Sequence, residues 1–132
     1  MFTDDWLDKI NDLSTGQTVT VSNLKIGAFT ADTGLQTNAP TAEAAYTNYA
    51  RQTGSFAEDN TNDTAVMFPI TDVEYIATHI ALIADVNDGT TTETGKIISY
   101  AALDTPKTVA SGNPLVFEVG SINMNVAVST CP

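Results

Sequence analysis

The sequence predicts a mainly β protein, an antiparallel β-sandwich with jelly-roll-like connections and one short N-terminal helix. Three observations carry this expectation. About eight short runs rich in β-branched and aromatic residues alternate with segments bearing Gly, Pro, Asn and Asp. Helical periodicity occurs once, at the front of the chain. Alternating β and α units, which a parallel sheet would need, are missing.

The helix is predicted over Thr3 to Leu13. Thr3 suits an N-cap, Asp4 and Asp5 place negative charge against the free amides of the first turn, and Trp6, Ile10 and Leu13 recur at helical spacing before Gly16 ends the pattern. Residues 1–16 therefore read as an N-terminal helix or arm, and residues 17–132 as the β-sandwich domain. The apolar side of the helix is expected to dock on one end of that domain, or on a neighbouring subunit or partner.

From Thr18 the residues become β-branched, and Leu24, Ile26 and Ala28 share a face, giving one bent strand or two. Asp32 to Ala44 holds Gly34, Asn38 and Pro40 and few large apolar groups, which predicts a long surface loop. Tyr46 to Gln52 contains the chain's only arginine. On a strand Tyr49 and Arg51 would share a face. A lone Arg51 among sixteen carboxylates needs an acidic partner, within the subunit or across a subunit boundary. Phe56 to Thr64 clusters side-chain oxygens but lacks the spacing of a calcium loop, so it reads as a solvated connection. Ala65 to Phe68 is a short strand closed by Pro69.

A long β-hairpin is the predicted centre. Its arms are Ala77–Ala84 and Lys96–Leu103, separated by about ten residues of turn chemistry around Asn87, Asp88, Gly89 and Gly95. Both faces of the first arm carry apolar groups, which suits a strand covered on both sides, or one facing a core on one side and a neighbouring subunit on the other. His79 and Tyr100 are candidates for that second face. Asp104 to Pro114 reads as a turn-rich connection and Leu115 to Val119 as a strand. Ile122, Met124, Val126 and Val128 alternate with Asn123, Asn125, Ala127 and Ser129 and predict a half-buried closing strand, with a loose end at Ser129–Pro132.

Composition narrows the function. A net charge of −11 opposes contact with nucleic-acid phosphates and anionic membranes. The single cysteine, Cys131, permits neither an intrachain disulfide nor a multi-cysteine metal site. The acidic opening MFTDDWLDKIND lacks the basic, apolar pattern of a secretory signal, and no apolar run approaches membrane-spanning length; synthesis in a reducing cytoplasm is expected. Catalysis has little to build on: His79 is the sole histidine, no G-x-S-x-G or glycine-rich phosphate loop occurs, and no carboxylate pair stands out. No catalytic residue, metal or cofactor is expected, and His79 reads as a hydrogen-bonded core or interface residue.

The order of short segments resembles a family. IGAFTAD at Ile26–Asp32, YARQ at Tyr49–Gln52, AVMFP at Ala65–Pro69, ATHIALIAD at Ala77–Asp85 and ALDTPKTVASGNPLVFEVGSI at Ala102–Ile122 are similar to small structural proteins of tailed bacteriophages, described as tail-fibre-like or head-decoration proteins. The glycine pair common after the Thr-His strand is here Asn87-Asp88-Gly89 with a Thr-rich extension. The resemblance implies a β-sandwich virion component that assembles with itself, often as a trimer, and does no chemistry. Its first expectation is a capsid decoration or cement protein on the outside of the head, clipped to the major capsid protein through the N-terminal helix. Its alternative is a tail or tail-fibre component that contacts other virion proteins or a host glycan through Asp32–Ala44 and Val86–Gly95. A hydrolase or carbohydrate-binding module ranks third. Candidate oligomer or partner contacts are Trp6, Ile10, Leu13, Tyr49, Arg51, His79 and Tyr100.

Overall fold

The computed structural model describes residues 1–123. It comprises α1 (Asp4–Ser14), β1 (Thr20–Phe29), β2 (Gln52–Thr53), β3 (Val66–Met67), β4 (Tyr75–Asn87), β5 (Thr92–Val109) and β6 (Val116–Phe117). All pairings are antiparallel, in a four-stranded sheet of order β2-β1-β4-β5 and a two-stranded sheet of β3 and β6.

The two-faced pattern of β4 has a direct structural counterpart. Ala77 and Ile80 join Ile26, Ala28, Val66, Phe68, Leu115, Phe117 and Ile122 in the larger core cluster, which the small sheet closes. Ala81 and Ile83 join Phe29, Leu35 and Ile97 in a second cluster on the other face. Strands β1 and β4 feed both clusters, so the middle of the large sheet is covered on both sides by the chain itself.

The hairpin is longer than its apolar arms suggested. Strands β4 and β5 pair as far as Asn87 and Thr92, and the tip shrinks to Asp88–Thr91. Threonine is a good strand former, and the turn is tightened by side chains. The amides of Thr90 and Thr91 donate to Asp88 Oδ1 at 3.0 and 2.8 Å, and that of Gly89 to Asn87 Oδ1 at 2.7 Å. At its other end β5 runs through Asp104 to Val109, where a connection was expected. Pro106 is tolerated because β5 is an edge strand. The register shift between Ala77↔Lys107 and His79↔Ala102 leaves Leu103 to Pro106 opposite Thr78 alone. A kink and charged or proline residues of this kind blunt an open sheet edge.

Other expectations are corrected by long-range contacts. Strand β1 is not among them: it is the single bent strand, one of the two expected forms, its register shifting between Ser22 and Lys25, with Asn23 at φ 58°. The segment 32–44 is no mere surface loop: Leu35 is 0% exposed, and the Asn38 side chain both donates to Ile97 O and accepts from Ile97 N at 2.9 Å. Asn38 thus fills a place on the β5 edge as another strand would. Gly34 permits the loop, since at its φ of 78° a Cβ would stand 1.9 Å from Ala39 O. Tyr46 to Arg51 is not a strand; only Gln52 and Thr53 pair with β1. Within the solvated connection 56–64, Asn62 is buried. Its side chain donates to the carbonyls of Thr64 and Glu118 and accepts from Ile122 N–H. Of the predicted closing strand, Ile122 is buried; Met124, Val126, Val128, Cys131 and the end Ser129–Pro132 lie outside the described residues.

Candidate interaction surfaces

The N-terminal arm is built from the outer edge of β5. Strand β5 leaves main-chain groups unpaired on that side, and Met1 to Thr3 bond to them: Thr3 N–H donates to Ile98 O at 3.0 Å and Tyr100 N–H to Met1 O at 2.9 Å. Thr3 is 0% exposed and its hydroxyl donates to Ile97 O at 2.7 Å while accepting the Trp6 amide at 3.3 Å. One residue therefore caps α1 and bonds to the sheet edge. Gln36 braces the junction, donating to Phe2 O and to Asp4 Oδ1 and accepting the Tyr100 hydroxyl at 2.7 Å.

Beyond this point the helix is lightly held. No residue of α1 is buried. Trp6 lines a narrow cleft with Val86, Ile97 and Ile98, Ile10 is half-buried, and Leu7 and Leu13 are exposed at 44% and 46%. Two ion pairs connect it to the hairpin, Asp5–Lys96 at 3.5 Å and Lys9–Asp88 at 3.7 Å. The backbone hydrogen bonds from Thr91 and Thr90 hold the exposed Asp88 carboxyl well below the usual carboxylate range, and Lys9 adds to this.

A second constellation gathers around Glu43. Arg51 Nε and Nη2 reach its two carboxylate oxygens at 2.8 and 2.9 Å, a two-point match of guanidinium and carboxylate. The Tyr49 hydroxyl donates to Glu43 Oε2 at 2.8 Å and accepts the Ala28 amide at 3.0 Å. Burial raises the Glu43 pKa, but the hydrogen bonds from Arg51 and Tyr49 and the Arg51 charge outweigh it, leaving the carboxyl below its ordinary value. Burial pushes the Tyr49 hydroxyl up, and its bond to Glu43 pushes the same way. Both half-buried side chains share one acceptor, and Arg51 finds its acidic partner within the chain.

The candidate residues thus separate. Tyr49 and Arg51 meet at Glu43; Trp6, Ile10 and Tyr100 belong to the arm and its seat, with Leu13 exposed at its end. His79 stands apart, half-buried, its Nδ1 2.8 Å from the Thr78 hydroxyl. The sequence did not single out Glu43 as the partner of Arg51, nor Gln36, Asp88 and Lys96 as partners of the arm. For Glu43 a signal existed, because it is the only charged residue between Asp32 and Arg51. Among the described residues no three His, Cys, Asp or Glu side chains could hold a metal ion, and no helix is long and apolar enough to cross a membrane.

Residues 6–125 match the family model described as Podophage GP4 fiber I protein gp80. No curated protein matches the chain.

Proposed function

The chain belongs to the Podophage GP4 fiber I protein gp80 family, and from this premise we propose that it is a non-enzymatic fibre component of a phage tail. Membership makes it a phage structural protein. The family match across residues 6–125 is the observation that carries the finer reading, because the family's description is of a fibre. It favours the tail alternative over capsid decoration, the first expectation from the sequence. Self-association, with a trimer as the expected form, and contacts to other virion proteins complete the proposal.

The molecule's construction supports a mechanical role. A central strand, β4, covered on both faces resists bending, and the half-buried Glu43–Arg51–Tyr49 group ties the segment after β1 to the sheet. Gold-labelled antibody against the chain, applied to purified particles, tests the proposal. Labelling at the tail is the expected result; labelling over the head would overturn the fibre reading and restore decoration.

A further inference from the structure

The arm's contacts are divided between a firm grip and a loose one. Residues Met1 to Thr3 add to the β5 edge through main-chain hydrogen bonds, and Thr3 is fully buried. The helix that follows buries none of its residues. At eleven residues it is marginal in water by itself. Asp12 lies near its negative end, and its last turn has no basic residue. The helix persists because its seat holds it.

That seat is confined to one strip. Among the described residues, and apart from the C-cap bonds of residues 15–17, the hydrogen bonds and ion pairs that leave the arm end on Gln36, on Asp88 and on residues 96–100. The connection back to β1 bonds to the helix and not to the sheet: residues 15–18 are exposed, the amides of Thr15, Gly16 and Gln17 donate to the carbonyls of Asn11, Asp12 and Leu13, and Gly16 sits at φ 86°. Nothing in the strip distinguishes the chain's own arm from an identical one.

We propose that this strip is a receptor for the arm of a second copy of the chain, so that neighbouring copies exchange residues 1–14. The partner's recognition chemistry is already visible in the occupant. An extended Met1-Phe2-Thr3 segment completes an open strand edge, Trp6 forms one wall of a cleft whose other wall includes Val86, Ile97 and Ile98, and Asp5 and Lys9 meet Lys96 and Asp88 in opposite-sign order, which fixes polarity. Exchange of an identical element creates no new contact and removes none. In dilute solution the chain's own arm wins, since a short tether keeps it at an effective concentration on the order of millimolar. Copies held side by side reach similar local concentrations, and exchange then links them despite their mutual repulsion at −11 each. Only this setting rests on the fibre reading; the exchange itself is read on purified protein, so either can fail alone.

Two experiments test it. Deleting Thr15 to Gln17 from the full chain shortens the tether by about 10 Å, which keeps the arm from its own seat. Light scattering should show a dimer or larger closed assembly, with the emission of Trp6, the sole tryptophan, still that of a shielded indole. A monomer with water-exposed Trp6 emission overturns the proposal. Should the shortened chain misfold, a dye-labelled peptide of residues 1–16 is titrated with the full-length Thr3→Val chain, whose own arm has lost its bonds to Ile97 O and the Trp6 amide and competes weakly for the seat. Saturable binding that Thr3→Val in the peptide abolishes supports exchange; no binding up to millimolar chain overturns it.

Discussion

Arg51 gives the clearest statement at the scale of a residue. Its side chain and that of Glu43 are 34% and 23% exposed, so solvent screens the pair in part. Arg51→Ala leaves Glu43 half-buried with one of its donors gone, and urea unfolding should show a loss of about 1–3 kcal/mol. The pH dependence follows from the depressed Glu43 pKa. The folded state binds the proton more weakly than the unfolded one. The contribution is therefore complete above the ordinary glutamate value of about 4.3 and is lost as pH falls through the lower, folded value. Glu43→Gln should lose stability at neutral pH and show a flatter acid limb than the natural chain. A parallel acid limb in the two proteins would remove Glu43 from the account. Leu35 makes the same point in the apolar core: fully buried within a segment that reads as loop, Leu35→Ala should cost about 2–5 kcal/mol.

At the scale of elements the sequence was legible where the signal is periodic. β4 announces itself by apolar residues on both faces, and those faces do meet two separate clusters. α1 announces itself by Thr3, the two aspartates after it and the Trp6–Ile10–Leu13 spacing. The loop 32–44 was misread because its structural weight rests on single residues: one leucine plugging a core, one asparagine imitating a strand, one glycine with a positive φ. None of these leaves a period. The hairpin's length was underestimated because threonine serves turns and strands alike, and the choice was made by cross-strand partners and by Asp88. Unequal burial also ranks the elements in stability. In native-state hydrogen exchange the amides of α1 should be the least protected of any helix or strand longer than a single bridge, and those of Ile80 to Ala84 the most. Raising ionic strength should weaken Asp5–Lys96 and Lys9–Asp88 and move Trp6 emission toward that of exposed indole. An emission unaffected by salt would mean that apolar contact alone seats the helix.

For the whole molecule, charge and shape point the same way as family membership. An acidic, mainly β chain with a doubly covered central strand β4 is suited to be a rigid part in an assembly, and the Podophage GP4 fiber I protein gp80 family is where its sequence places it. The family match agrees with the coarser part of the resemblance carried by the short motifs from Ile26 to Ile122, a phage structural protein. Head against tail was not written in those residues, because a decoration protein and a fibre part need the same stable, acidic β scaffold, and the difference lies in what it touches. Tyr49 and Arg51, candidates for a boundary between copies, are engaged with Glu43 inside the chain, which shifts attention from that pair to the arm on β5. The most direct test is copy number per particle, by quantitative mass spectrometry of purified virions normalised to the major capsid protein. A fibre component should be present at a few copies for every hundred capsid subunits; a ratio near one to one would contradict the account and return the chain to the head.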